Sequence, residues 1–319
     1  MNIKHEIKKM IESYETIIIH RHQRPDMDAI GSQYGLSLLL KENYKDKNVY
    51  TVGDLNDMSY LARMDDIKDE LYQQALVIIT DVSVTKMISD DRYKLAKDII
   101  IIDHHQNDTD VENVSIFYKD PTFASAAEMI VDLAKTFEFT ITKEAATYLY
   151  GGMVTDTGRF LYMANPSQTF ELASYITKYE PDIQPFYDYI YTEPLKKRKT
   201  KQLFQTFELT KHNVAYRKND VSVIEQSGLD FQSISRGMVN QMAGIIEVPI
   251  WANFTEDQEN NAIVGEFRSR GITIVDIAKK YGGGGHNNAC GATLKNWNEV
   301  EDILIDFDER AKNYEKNIK

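Results

Sequence analysis

Ile99-Ile100-Ile101-Ile102-Asp103-His104-His105 decides how the first half of this chain is read. Four consecutive β-branched aliphatic residues leave a strand no polar face, and a strand buried on both sides belongs in a parallel sheet. Open α/β sheets gather ligands at the carboxyl ends of such strands. The run therefore delivers a carboxylate and two imidazoles to the place where chemistry is expected. Two earlier stretches repeat the pattern. Thr16-Ile17-Ile18-Ile19 leads into His20, His22, Asp26 and Asp28, and Val77-Ile78-Ile79-Thr80 leads into Asp81. Three strands that bring Asp and His to one edge indicate a metal-dependent enzyme.

Outward from these strands, β-rich runs alternate with helical patterns. The stretch after Asp28 reads as a helix through Leu36, Leu38, Leu39 and Leu40, and Val49-Tyr50-Thr51-Val52 as a further strand. Residues 123–137 and 143–154 read as helices, the second ending at Thr155-Asp156-Thr157-Gly158. This alternation predicts an α/β fold with a doubly wound parallel sheet over residues 1–190. Residues 191–212 are charged, then helical, and read as a linker helix. A smaller α/β domain is expected over residues 213–319. Its strands include Val214-Ala215-Tyr216-Arg217 and Val221-Ser222-Val223-Ile224, around an Asn219-Asp220 turn. Residues 248–254 and 262–268 form a candidate hairpin. Val300, Ile303, Leu304, Phe307, Ala311 and Tyr314 mark a terminal amphipathic helix.

Composition narrows the class. The chain has 319 residues, 42% apolar and 27% charged, which fits a globular protein with room for two domains. No run reaches the roughly 18 apolar residues of a membrane span, and the first residues do not read as a signal peptide. A single cysteine, Cys290, suits a reducing cytoplasm. With 37 basic against 49 acidic residues, the net charge is −12. Proteins that grip long nucleic acids usually carry a broad basic surface. A phosphate substrate, if there is one, is therefore expected to be small or short, not a long duplex.

The loop holding His22, Asp26 and Asp28 also contains Arg24-Pro25, which breaks any helix and lets a tight turn converge the three side chains. Capping of the next helix is the competing reading for either aspartate, but capping does not explain carboxylates at three strand ends. Asp156, alone, could be a turn residue before Gly158; beside the others it completes a two-metal set. Oxygen and imidazole donors without thiolate favour Mn²⁺, Mg²⁺ or Fe²⁺ over structural zinc. A carboxylate bridging two ions would support a two-metal hydrolase, in which an activated hydroxide attacks phosphorus in line. The second strong feature is Gly282-Gly283-Gly284-Gly285-His286. Its backbone amides can wrap a phosphate or carboxylate, although a glycine-rich helix cap is the plainer alternative. Arg268 and Arg270 could add phosphate contacts, Arg268 being preferred because it ends a strand. His20 reads as buried support, Cys290 as a packed residue, and the Lys196-Lys197-Arg198-Lys199 cluster as a solvated face.

Taken together, five stretches resemble the DHH–DHHA1 phosphoesterases. They are His22-Gln23-Arg24-Pro25-Asp26-Met27-Asp28-Ala29, Asp81, Asp103-His104-His105, Thr155-Asp156-Thr157-Gly158-Arg159-Phe160 and Gly282-Gly283-Gly284-Gly285-His286. The likeness is greatest to the branch of bifunctional oligoribonucleases and pAp phosphatases, often called nanoRNases. It implies a catalytic DHH domain, a linker helix and a substrate-binding DHHA1 domain, with the active site between them. Carried over by motif, His22, Asp26 and Asp81 would hold one Mn²⁺; Asp28, Asp81, His104 and Asp156 would hold the other. Asp103 would complete or support the cluster, and His105 would sit beside the scissile phosphate. Arg268, Gly283, Gly284, Gly285 and His286 would grip a terminal phosphate or sugar, and Arg159 would be an extra phosphate contact. The implied substrates are short RNA oligonucleotides, pApA and pAp, in the cytoplasm, with a link to cyclic di-AMP turnover. The chain is expected to differ from the larger membrane-bound cyclic-dinucleotide enzymes, and relatives suggest a homodimer. The glycine run continues as His286-Asn287-Asn288-Ala289-Cys290-Gly291, where relatives often carry Pro and an aliphatic residue, then Ser before the next Gly; this departure bears on substrate preference. A family II-like pyrophosphatase and a catalytically weak nucleotide-binding regulator are the alternatives.

Overall fold

The three aliphatic runs become neighbouring strands of one sheet: β1 (Thr16–His20), β3 (Leu76–Thr80) and β4 (Asp98–Asp103). With β2 (Asn48–Thr51) and β5 (Val114–Lys119) they stand in the order β2-β1-β3-β4-β5, and every pairing is parallel. Side chains alternate across a strand, so the isoleucines divide between two cores. Ile17, Ile19, Leu76, Ile78, Ile100 and Ile102 enter one, and Ile18, Val77, Ile79, Ile99 and Ile101 enter the other. Full burial of each such side chain contributes roughly 1.5–3 kcal/mol. The computed structural model describes residues 2–318, without the side chains of residues 197 and 315–318. The chain divides into two compact units, Met1–Thr192 and Glu193–Lys319.

In the first unit, one core is closed by α1 (Ile3–Ser13), α2 (Met27–Asn43), α3 (Ala126–Phe137), α4 (Lys143–Asp156) and α5 (Pro166–Thr177). The other core is covered by Tyr72 and Tyr93, which lie in 3-10 turns at Asp69–Gln74 and Asp91–Leu95. A last helix, α6 (Ile183–Tyr191), buries Phe186 against Met27, Ile30 and Tyr148. The chain leaves β1 for β2 on one side and returns to β3 on the other. Strand order thus reverses between β1 and β3, and the crevice beyond such a switch point is where α/β sheets bind ligands. Helices α2 and α4 approach closely because glycines face the crossing. A Cβ on Gly31 would stand 2.5 Å from Tyr148 O, and one on Gly152 would stand 2.8 Å from Asp28 Oδ1.

The second unit contains α7 (Leu195–Leu203), β6 (Glu208–Leu209), β7 (Val214–Asn219), α8 (Val221–Ser227), α9 (Phe231–Ser235), β8 (Ile250–Asp257), β9 (Ala262–Ser269), α10 (Val275–Lys280), β10 (Gly284–His286), β11 (Ala289–Leu294) and α11 (Trp297–Ile318). Its sheet runs β10-β11-β9-β8-β7-β6, with only β7 and β8 parallel. The helix expected over residues 191–212 is confined to α7, and the chain then pairs β6 with β7. The strand expected at Val221-Ser222-Val223-Ile224 is instead the helix α8. Asp220 Oδ1 accepts from Val223 N at 3.1 Å and Gly228, at φ 64°, closes the other end. Capping chemistry at both ends outweighs the β preference of the valines and isoleucine. Likewise the glycine run is partly strand: Gly284 pairs with Gly291 and His286 with Ala289, so Asn287-Asn288 forms the turn of a hairpin. Among the described residues, no helix is long and apolar enough to cross a membrane.

Candidate metal centre

The loop after β1 is shaped before any ion is considered. Asp26 caps α2, its Oδ1 accepting from Asp28 N and Ala29 N, both at 3.0 Å. The capping reading is therefore real for Asp26, and the same oxygen also lies 3.7 Å from His22 Nε2. His22 Nδ1 sits 2.8 Å from Gln23 O. Donation there fixes the tautomer and leaves Nε2 to act as a ligand.

Asp81 follows β3 with φ 61°, a left-handed conformation that costs on the order of 1 kcal/mol for a residue with a side chain. Its N–H donates to Ile102 O at 3.0 Å, which holds the turn. The carboxylate is split between two neighbours: Oδ2 is 3.4 Å from His22 Nε2, and Oδ1 is 3.4 Å from His104 Nε2. His104 Nε2 is in turn 3.3 Å from Asp156 Oδ2 and 3.9 Å from Asp28 Oδ2. Asp28 is anchored from behind by the N-terminus of α3, with Ala126 N donating to Oδ2 at 2.7 Å and Ala127 N to Oδ1 at 2.9 Å. Helix N-termini suit anions in this way. Ser125 caps α3 by accepting from Glu128 N at 3.0 Å, while Glu128 Oε2 accepts from Ala124 N at 2.7 Å. Ser125→Ala should lower unfolding free energy by about 1 kcal/mol. Urea denaturation would check this, and an unchanged midpoint would show that the cap adds nothing.

Three groups of side chains thus place ligand atoms within 4.8 Å of one another: His22, Asp26 and Asp81; Asp28, His104 and Asp156; and Asp81, His104 and His105. Ligands about 2.1 Å from one octahedral ion lie roughly 3 Å apart, so a slight contraction would close each of the first two groups on a cation. Asp81 Oδ1 and His104 Nε2 are buried and make no hydrogen bond among the described residues. Burying polar atoms without partners is costly. Charge points the same way. Burial and Asp81 push the Asp156 carboxyl up to about 6. Burial, then Asp81 and Asp156, raises Asp28 well above the usual carboxylate range, against the pull of His104. Burial alone would lower both imidazoles, yet Asp26 and Asp81 draw His22 up to about 11, and Asp81 and Asp28 draw His104 up to about 10. Such an array is short of positive charge. Its oxygen and nitrogen donors fit Mn²⁺, Mg²⁺ or Fe²⁺.

Asp103 belongs to none of these groups. Its Oδ1 accepts from His105 N at 3.2 Å and lies 2.8 Å from His105 Nδ1. Asp103 therefore orients His105, raising its pKa, and the half-exposed ring lies 4.4 Å from that of His104, tilted by 50°. A cleft of about 290 Å³ is lined by His22, Asp26, Asp81, Asp103, His105 and Asp156. Arg159 does not line this cleft; its guanidinium lies 5.4 Å over the Tyr191 ring. His20 is buried edge-on to Tyr72 and Tyr93.

In the second unit, Arg268, Gly283, Gly284, Gly285 and His286 line a groove of about 520 Å³. A Cβ on Gly283 would collide with Gly291 O, and Gly285 has φ 131°, so glycine is required at both. Sequence reasoning missed Arg236, which lines the same groove. Glu266 sits between the two arginines, 3.3 Å from Arg236 Nε and 3.3 Å from Arg268 Nη1. No motif surrounds Arg236, and only the fold brings it there. Arg270 turns away, with Nη2 donating to Ile246 O at 2.6 Å. Cys290 is buried, its thiol pushed up to about 11 chiefly by burial.

Residues 16–153 match the DHH family, N-terminal domain, and residues 221–313 match the DHHA1 domain. The bifunctional oligoribonuclease and PAP phosphatase NrnA of Bacillus subtilis is 33% identical, over 98% of this chain and 100% of its own length. A probable bifunctional oligoribonuclease and PAP phosphatase NrnA of Streptococcus mutans is 36% identical, over 92% of this chain and 94% of its own. Among solved structures, an exopolyphosphatase-related protein from Bacteroides fragilis superposes with a TM-score of 0.81 at 25% identity, covering 98% of this chain and 96% of that one. The chain belongs to the DHH family and carries a DHHA1 domain. The class this fold and site define is that of phosphoric ester hydrolases.

Proposed function

We propose that the chain hydrolyses short oligoribonucleotides, including linear dinucleotides such as pApA, to mononucleotides, and pAp to AMP, as a Mn²⁺-dependent cytoplasmic enzyme. The observation that carries the reading is the Asp81 carboxylate, whose two oxygens face His22 and His104 separately. The names of the relatives support the substrate class. In this reading residues 1–190 form the catalytic domain, residues 191–212 the connection, and residues 213–319 the substrate-binding domain.

His22, Asp26 and Asp81 would hold one ion, and Asp28, Asp81, His104 and Asp156 a second. Two divalent cations, when bound there, supply an activated water and neutralise phosphate charge. The chain's own residues do the rest. His105, oriented by Asp103, offers its remaining ring nitrogen to a phosphate oxygen or to the leaving oxygen. Arg268 and the backbone amides of residues 283–286 bind the terminal phosphate or sugar.

The test is incubation of the purified protein with Mn²⁺ and pAp, pApA or a five-nucleotide RNA, following release of mononucleotide. Absence of product from all three would overturn the proposal. Arg268→Ala should raise KM roughly 10- to 100-fold, the worth of one charge-assisted contact, with kcat within a few fold of wild type. Unchanged kinetics would remove Arg268 from the site.

A further inference from the structure

We propose that Arg21 and Asp54 are a positioning pair for one ion position only, that of His22, Asp26 and Asp81. The inference rests on the two-ion reading above. The Arg21 side chain is 0% exposed; its Nε makes no hydrogen bond among the described residues, and its two terminal nitrogens carry the contacts that a buried guanidinium needs. Nη1 donates to His22 O at 3.0 Å and to Asp54 Oδ1 at 3.2 Å, and Nη2 donates to Asp54 O. The other carboxylate oxygen, Asp54 Oδ2, accepts from Arg24 N at 2.9 Å. One carboxylate thus ties the residue before His22 to the residue two after it.

That tie acts where the backbone resists. Arg24 has φ 50° and precedes Pro25, where extended conformations are strongly preferred. Left to itself, the loop would relax and turn His22 and Asp26 apart. Gly53, at φ 124°, lets the chain close over the guanidinium; a Cβ there would stand 3.2 Å from Arg21 Nη1 and 2.5 Å from Ser89 Oγ. Ser89 N also donates to Arg21 O at 3.0 Å, and Gln23 N donates to Met87 O at 2.7 Å. His22 is therefore fixed through its own neighbours in the chain. Asp28 is braced elsewhere, by the amides of α3, and none of the hydrogen bonds of Arg21 and Asp54 reaches His104 or Asp156.

Mn²⁺ binding to wild type and Asp54→Ala, measured without substrate by calorimetry and by the electron paramagnetic resonance of free Mn²⁺, tests the pair. The Asp54 side chain is 44% exposed, and the backbone acceptors His22 O and Asp54 O remain for Arg21 in its absence, so the fold should survive its loss. Wild type should bind two ions. In D54A one affinity should fall about 10- to 100-fold, the usual effect of losing a group behind a ligand, while the other stays unchanged. Saturating Mn²⁺ should restore kcat towards wild type, which a general loosening of the fold would not allow. Asp54→Asn, which keeps one acceptor oxygen, should recover part of the loss and serves as a second variant with the same readout. Fewer than two ions on wild type would overturn the two-ion reading itself. Two ions on wild type, with D54A binding both as tightly or both equally weakly, would overturn the positioning role alone.

Discussion

Asp81→Ala should leave the protein without measurable phosphoester hydrolysis, a fall of three or more decades in kcat, equivalent to about 4 kcal/mol or more of barrier. The size follows from geometry. Asp81 Oδ2 is 3.4 Å from His22 Nε2 and Oδ1 is 3.4 Å from His104 Nε2, so a single side chain closes both groups of ligands. In the proposed two-ion arrangement, removing any other carboxylate would weaken one ion position, and removing this one would weaken both. Folding should survive, because Asp81 lies beyond the end of β3 and the neighbouring isoleucines pack without it. Steady-state assays with pAp and pApA, alongside thermal denaturation, would check the separation. A folded Asp81→Ala variant that retained turnover would show that the ions are held by other residues.

Gly152→Ala should damage both folding and the candidate metal centre. The added carbon would stand 2.6 Å from Ala127 Cβ and 2.8 Å from Asp28 Oδ1. Both neighbours sit at the junction of α2, α3 and α4, where backbone leaves little room to yield. Overpacking of this kind costs about 1–3 kcal/mol, and here it also pushes on the carboxylate that α3 holds in place. We expect a lower Tm together with roughly a 10- to 100-fold loss of Mn²⁺ affinity. Thermal scans paired with Mn²⁺ titration would check both. Wild-type Tm and wild-type ion binding in this variant would mean that the helices separate freely.

Much of the first unit was legible in the sequence because its strands are extreme. Ile99 to Ile102 admit few readings other than a strand buried on both faces, and the polar residues that follow each run fall at the sheet's carboxyl edge. The destinations of consecutive polar residues were not legible. Asp103, His104 and His105 are adjacent in the chain, yet His104 faces Asp156 and Asp81 while Asp103 turns to His105. Which way each side chain points depends on how β4 ends, and composition is silent on that. Arg236 was invisible for a related reason: it reaches the groove through the packing of α9, with no motif of its own. At Val221-Ser222-Val223-Ile224 intrinsic preference misled, since Asp220 and Gly228 impose helix ends on residues that favour strands.

The division of the isoleucines between two cores carries a consequence for how the chain tolerates the coming and going of ions. Odd and even positions of β1, β3 and β4 are sealed on opposite faces by largely apolar cores, and the candidate ligands sit beyond the strand ends and at the ends of α2 and α4. Mechanical integrity and electrical balance are thus assigned to different atoms. Stripping cations from the proposed sites would unbalance a cluster of carboxylates and imidazoles while leaving the frame that aims them standing, ready to be recharged.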